Sequence, residues 1–266
     1  MSDLVISLTA IPPRLPYILP TLQDLMSQDI KVAEIRLNLP VRYRRFPGVE
    51  ITVPKLPPKV NVVRVPEDCG PATKVLPTAQ ALLGQDVEIL FCDDDQHYDR
   101  HWARRMITAR HQHPTACIVE NGYDLPHPRP SRLMPRARPR QKDWKYRLAR
   151  LRRGFRTKPS PYLESGFVDV FQGYRGAMIR PESLPRAAFD VPDILWTVDD
   201  IWLSGQLTQA GVPIWLTTGS NGFPKAPKTQ YINPLQQYSY RAHDRRRAEA
   251  ACIAYFQSTY GIWQGV

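Results

Sequence analysis

Short apolar and β-branched runs alternate with stretches of helical spacing along the first half of the chain, and few folds accommodate that rhythm. Residues 4–9 (LVISLT), 33–39 (AEIRLNL), 60–65 (VNVVRV), 87–92 (VEILFC) and 117–120 read as five strands. Between them, Leu15, Ile18, Leu19, Leu22, Leu25 and Met26 recur at helical spacing. Residues 71–83 read as a helix opening on Pro71, and residues 99–113 as another. The stretch 40–59 holds five prolines and reads as a loop. Strands separated by helices in this way predict an α/β fold: an open, mostly parallel sheet flanked by helices on both faces. Such sheets bind ligands beyond the carboxyl ends of their strands, so the chemistry is expected just after Thr9, Val65 and Cys92. Further on, residues 166–179 contain two strand-like pieces around Gly173 and Gly176. Residues 197–210 read as a helix, 214–216 as a strand and 243–260 as a terminal helix.

At 266 residues the chain suits one α/β domain, with no internal repeat and no linker. Its expected divisions are a first half (1–120), a basic insertion (121–165) and a second half (166–266). The 27 prolines, about twice average usage, argue for long stiffened loops and against a helical bundle. No apolar run approaches the roughly 18 residues of a spanning helix, and the N-terminus shows no basic-then-apolar export signal. The four cysteines are scattered without a CxxC pair, which fits a reducing, cytoplasmic setting.

Charge is concentrated. Thirteen Lys and Arg residues lie between Arg129 and Lys158, with Asp143 the one acid there. That segment carries +12 of a net +11, leaving −1 for the rest. A near-neutral domain with one basic segment points to a docking element for something anionic: a phospholipid surface, an acidic acceptor or RNA. A solvated charged loop is the plain alternative.

Two acidic groups carry the chemical signal. Asp93-Asp94-Asp95 follow the fourth strand directly, where three adjacent carboxylates repel unless a cation or hydrogen-bond donors neutralise them. Extended-chain alternation would put Asp93 and Asp95 on one side and Asp94 on the other. Two carboxylates completed by diphosphate oxygens and water are what Mn²⁺ or Mg²⁺ prefers. The second group, Asp199-Asp200, opens a helix. Asp199 fits a helix cap, whereas Asp200, flanked by large apolar residues, would be desolvated into a better general base. His97 and His101, four apart, are a weak zinc candidate, and His243 a candidate third metal ligand.

Taken together, VISLTAIPPR, EDCGPATKVLP, the strand ending in DDD, VDVFQGYRGAMIRP and VDDIWLSGQLTQAG resemble bacterial GT-A-fold glycosyltransferases of the family-2-like, DxD-containing kind. The resemblance spans most of the chain apart from the basic segment and the last ~50 residues. It implies a nucleotide-sugar donor and a glycan or lipid-linked acceptor, with an inverting transfer. It further implies nucleotide contacts from Thr9, Arg14, Lys74 and Asp94, a metal on Asp93 and Asp95, and Asp200 as catalytic base beside Asp199. Gly173 and Tyr174 would lie in the loop lining donor sugar and acceptor. On the bland reading Lys74 is an ordinary exposed helix lysine. Two rival classes remain: a metal-dependent phosphoryl or nucleotidyl enzyme, and a basic module docking RNA or an anionic surface. A haloacid-dehalogenase-like phosphatase would carry its DxD after the first strand rather than the fourth. The basic segment lacks any RNP, KH or zinc-finger pattern, so no nucleic acid is expected; peripheral contact of 129–158 with an anionic membrane is.

Overall fold

The alternation of apolar runs is realised as a central sheet in the computed structural model, which describes residues 2–126, 134–152, 157–220, 223–224, 226–240 and 244–264. Its eight strands are β1 (Asp3–Thr9), β2 (Glu34–Pro40), β3 (Val60–Val65), β4 (Val87–Cys92), β5 (Cys117–Val119), β6 (Gly166–Val168), β7 (Ala177–Ile179) and β8 (Ile214–Leu216). They lie in the order β6-β8-β5-β7-β4-β1-β2-β3. The run β4-β1-β2-β3 is parallel, as is β8 against β5. The departure from a parallel sheet is β7, which inserts antiparallel between β4 and β5, and β6, antiparallel to β8. β7 thereby stitches the second half of the chain into the middle of the first.

Alternate side chains of β4 divide the interior into two apolar clusters, as the pleat requires. Val87, Ile89 and Phe91 join the residues of α2 (Leu76–Ala81), α5 (Asp199–Gln209) and α6 (Arg245–Tyr260). Leu90 and Cys92 face α1 (Leu19–Met26) and α3 (Trp102–Gln112). All six β4 residues are buried. Glu88, whose side chain would otherwise be an orphan there, is held by Arg110 Nε at 2.9 Å and Arg180 Nε at 3.0 Å.

Prolines explain where helices fall short of their periodicity. The helical pattern of residues 15–26 splits into a 3₁₀ turn, Pro12–Tyr17, and α1, with Pro20 in the first turn of α1. In the same way 71–83 splits into a 3₁₀ turn, Gly70–Lys74, and α2, with Pro77 in its first turn. The basic segment contains a helix that its charge density hides: α4 (Trp144–Arg152). Among the described residues, no helix is long and apolar enough to cross a membrane.

Close packing of α5 on α6 depends on Gly205. A Cβ there would lie 2.2 Å from Phe256 Cε2, and the Phe256 ring is wedged by Trp202 at 5.4 Å and Trp263 at 5.3 Å. Gly205→Ala gains about 1 kcal/mol in helix propensity but overpacks a core that has nowhere to retreat, at about 1–3 kcal/mol. Net destabilisation is the expected result in urea denaturation; a variant at least as stable as the parent would mean that this interface is loosely packed.

Candidate functional site

A cavity of about 600 Å³ opens at the carboxyl ends of β1 and β4 and beside the loop that follows β3. Thr9, Arg14, Lys74, Asp93, Asp94, Asp95, Tyr174, Asp199 and Asp200 all line it. Gly173 adjoins it, donating its N–H to Asp200 Oδ1 at 3.0 Å. The residues singled out in sequence are therefore brought to one place, although about 190 positions separate the first from the last.

Local structure fixes Lys74 there. Ser7, in the middle of β1, donates its hydroxyl to the Lys74 carbonyl at 2.6 Å and lies 2.7 Å from Thr78 Oγ1. Asn38 of β2 donates to both hydroxyls, at 3.0 and 2.9 Å. With its backbone pinned by this buried network, the Lys74 side chain reaches the cavity at 3% exposure. Its Nζ lies 2.7 Å from Asp93 Oδ1 and 2.9 Å from Asp199 Oδ2. Burial alone would push the ammonium pKa down; Asp199, Asp93 and Asp200 outweigh it and hold the pKa well above its usual value. The exposed-lysine reading of this residue is overturned.

Asp199 also departs from expectation. It is the first residue of α5, but the residue at the cap position is Val198, and no side-chain cap bond is made. Its carboxylate, buried at 5% exposure, turns to Lys74 instead. Asp200 makes its hydrogen bond to a backbone N–H rather than to a cation. Burial first, then the adjacent Asp199, raise its pKa above the ordinary carboxylate range.

The three acids after β4 do not alternate. The strand ends at Cys92, and Asp94 and Asp95 form a turn, so the extended-chain geometry stops before it can sort them. Arg14 Nη1 meets Asp94 Oδ1 at 3.0 Å and Asp95 Oδ2 at 2.7 Å, leaving Asp93 to Lys74. Burial pushes Asp94 up to about 7, against the pull of Arg14. The turn is moored from two sides. Thr21 of α1 has its hydroxyl 2.9 Å from the Asp94 carbonyl, and the Tyr98 hydroxyl accepts from Asp93 N at 3.1 Å while lying 3.0 Å from the Tyr174 carbonyl.

Carboxylate oxygens on one turn are the donor set of a hard divalent cation. Asp94 Oδ2 is buried without a hydrogen-bond partner, the condition of an atom that a cation or proton would satisfy. Among the described residues, no three His, Cys, Asp or Glu side chains converge as a ready-made cage. The acids of this turn thus suit a cation whose remaining shell comes from substrate and water. His97 and His101 do not converge either: their rings meet Asp24 at 2.7 Å and Asp29 at 2.6 Å respectively. His243 lies outside the described residues.

Part of the wall carries no signal in the sequence. Asp68 accepts from Arg44 N at 2.7 Å and Gly70 N at 2.8 Å, while its carbonyl accepts from Trp196 Nε1 at 2.8 Å. Gly70, at φ +60°, passes so close to Trp196 that a Cβ would lie 2.6 Å from its carbonyl oxygen. Tyr43, Arg45, Arg245 and residues of the segment 230–237 also line the cavity. Arg14 Nε donates to the Ile232 carbonyl at 3.0 Å, so the same guanidinium that binds the acids also holds this segment. Asp68 and Gly70 lie inside EDCGPATK, where the motif could have marked them; Arg245 lies in the expected terminal helix with nothing to single it out, and Tyr43, Arg45 and residues 230–237 stand in no periodic pattern or motif.

No protein-family model and no curated protein matches the sequence. Solved structures do. The S. aureus TarS 1-349 structure in complex with UDP-GlcNAc superposes with a TM-score of 0.52 at 11% identity, covering 97% of this chain and 66% of that one. Two further TarS 1-349 structures, one without a named ligand and one with UDP, give TM-scores of 0.45 and 0.46 at 12% and 10% identity. They cover 97% and 96% of this chain and 72% of theirs. This chain therefore spans about two thirds of the length of the TarS 1-349 chain, and what the two share is the fold.

Lys74 offers a direct test of the site's electrostatics. Lys74→Met removes one partner of a buried ion network and should lower stability by about 3 kcal/mol near pH 8. Asp200, already raised to about 7 by burial, then loses the downward pull of Lys74 and binds its proton more readily still in the folded state than in the unfolded one. The penalty shrinks as pH falls through that raised pKa, so the variant should approach the parent near pH 5. Chemical denaturation at several pH values reads this; a loss that is independent of pH would mean that packing, not charge, is what Lys74 supplies.

Proposed function

We propose that this chain is a glycosyltransferase that moves a sugar from a nucleotide-diphosphate donor to a glycan or lipid-linked acceptor with inversion. The observation that carries the reading is the meeting of two separate acid groups, Asp93–Asp95 and Asp199–Asp200, across one buried lysine in a single cavity. The UDP-GlcNAc in the TarS structure of the same fold supports a nucleotide-sugar as donor.

In this reading Asp93 and Asp95, now paired with Lys74 and Arg14, would hold Mn²⁺ or Mg²⁺ together with the unpartnered Asp94 Oδ2; the ion when bound neutralises charge growing on the leaving diphosphate. Lys74 adds fixed positive charge at the same wall, preorganised by Ser7 and therefore without reorganisation during reaction. Thr9, Arg14 and Asp94 lie on the nucleotide side, and Gly173 and Tyr174 on the side of the transferred sugar and acceptor. An inverting displacement needs a carboxylate to take the acceptor hydroxyl's proton as the new bond forms. Asp200 suits that role, because its hydrogen bond to Gly173 N fixes its orientation while leaving its second oxygen for the acceptor. Asp199, engaged by Lys74, holds the ammonium in place rather than moving a proton.

Asp200→Asn keeps size and hydrogen bonding but cannot accept the proton, so turnover should fall by roughly 10²–10⁴ while donor affinity stays near normal. In the parent, transfer needs the ionised base; activity should fall as pH drops through the Asp200 pKa, with that limb above the ~4 of an exposed aspartate. Thermal shifts with nucleotide-sugars, with and without Mn²⁺, identify the donor. Near-normal turnover in the Asn variant, or a product of retained anomeric configuration, would overturn the inverting mechanism; the absence of any nucleotide-sugar binding would overturn the whole reading.

A further inference from the structure

The helix hidden in the basic segment has a face that the fold does not bury. Trp144, Leu148 and Leu151 are 68%, 37% and 60% exposed and belong to neither apolar cluster. At ~100° per residue, positions 144, 148 and 151 fall within an arc of about 60°. Arg147 and Arg152, both exposed, flank this stripe on opposite sides. The sole acid of the segment, Asp143, stands at the helix start, where its carboxylate accepts from Tyr146 N at 2.9 Å. Its negative charge is therefore spent on capping, and no acid lies along α4 itself.

The excursion is rooted beside the cavity. Arg138–Pro139 pair antiparallel with Tyr162–Glu164, and Arg140 closes the loop with 2.7 and 2.9 Å bonds to the carbonyls of Pro161 and Ser160. Tyr162 donates its hydroxyl to the Gly122 carbonyl at 2.6 Å, and Gly122–Tyr123 pair with Val170–Phe171. Phe171 leads directly into Gln172 and Gly173 at the cavity wall. The base of the excursion that carries α4 thus lies on the side of the Gly173–Tyr174 turn.

We infer that α4 seats this protein on an anionic phospholipid bilayer. The Trp144, Leu148 and Leu151 stripe enters the headgroup–acyl boundary, and Arg147 and Arg152 meet the lipid phosphates. Charge complementarity selects the partner: +12 within thirty residues, on a domain that is otherwise near neutral, is drawn to a negative surface. Trp144 suits either a base or a headgroup interface, and the leucines select the bilayer over RNA, since Leu148 and Leu151 gain by leaving water but offer bases nothing to stack on. A nine-residue helix with so little tertiary burial is marginal in water, and an interface supplies the missing burial. The inference concerns docking and stands whether or not the chain transfers sugar.

Co-sedimentation of the full chain with vesicles tests it. Phosphatidylcholine vesicles containing phosphatidylserine should bind the protein and pure phosphatidylcholine vesicles should not. Leu148→Ala/Leu151→Ala keeps charge and helix propensity and should weaken binding roughly tenfold. Arg147→Gln/Arg152→Gln keeps the apolar stripe and should weaken it roughly 30-fold. Both pairs are exposed, so melting temperature should not move, and a nucleotide-sugar thermal shift, where the parent shows one, should persist. No binding to the anionic vesicles overturns the inference. So does binding that the leucine pair leaves unchanged, or RNA binding without vesicle binding.

Discussion

The buried Lys74 ammonium is the interaction on which the arrangement of the cavity depends. Among the described residues it is the cation that lies within 3 Å of both acidic groups, reaching Asp93 after β4 and Asp199 at the start of α5. These carboxylates belong to opposite halves of the chain, and without a shared counter-charge their proximity would be repulsive. The geometry is set from behind, because the lysine's backbone is tied to Ser7, itself bound to Asn38 and close to Thr78. Asn38 Oδ1 is buried without a hydrogen-bond partner, which costs free energy inside a sheet, so the network is not fully satisfied. Its position directly beneath the site gives it a purpose that packing alone does not.

Aromatic side chains perform the same office for the Gly173–Arg175 turn. Tyr98 links it to the Asp93 backbone, and Trp102 donates its indole N–H to the Arg175 carbonyl at 2.9 Å. Gly176 follows at φ +95°, with Trp102 so close that a Cβ would lie 2.4 Å from its ring. The turn therefore lies against α3 and the acidic turn together, and Gly173 N is aimed at Asp200. Rigidity of this kind is what a positioned base needs, since a hydrogen bond fixes a carboxylate only as well as its donor is fixed.

Strand positions are readable from sequence because β-branched runs bounded by turn residues have few other uses; residues 60–65 and 87–92 match β3 and β4 residue for residue. The antiparallel entry of β7 is not, since periodicity says nothing about which neighbour a strand selects. The acids are readable as a set because three carboxylates at the end of a buried strand demand neutralisation. Their sorting is not, because it turns on whether the chain stays extended for two residues past Cys92. Nor can the sequence separate Asp199 as a cap from Asp199 as a partner of Lys74: both roles want an acid at a helix start. α4 is hidden for a different reason, its charge density masking an apolar spacing of four and three.

Formal charge in the cavity sets a constraint on whatever enters it. Among the described residues, six carboxylates (Asp68, Asp93, Asp94, Asp95, Asp199 and Asp200) line it against four cations (Arg14, Arg45, Lys74 and Arg245). The wall is thus formally negative by two before any ligand arrives; burial first, and the neighbouring carboxylates after it, raise the pKa values of Asp94, Asp95 and Asp200. A diphosphate would add further negative charge to the same space. Its binding must be accompanied by proton uptake on these acids or by entry of a counter-cation. In the proposed mechanism Asp200 would have to be ionised to act as a base, so proton uptake there would oppose the chemistry, whereas a cation among Asp93–Asp95 would not. The acid excess around the cavity is thus a reason for the turn after β4 to carry hard oxygen donors in surplus of what Arg14 and Lys74 can neutralise.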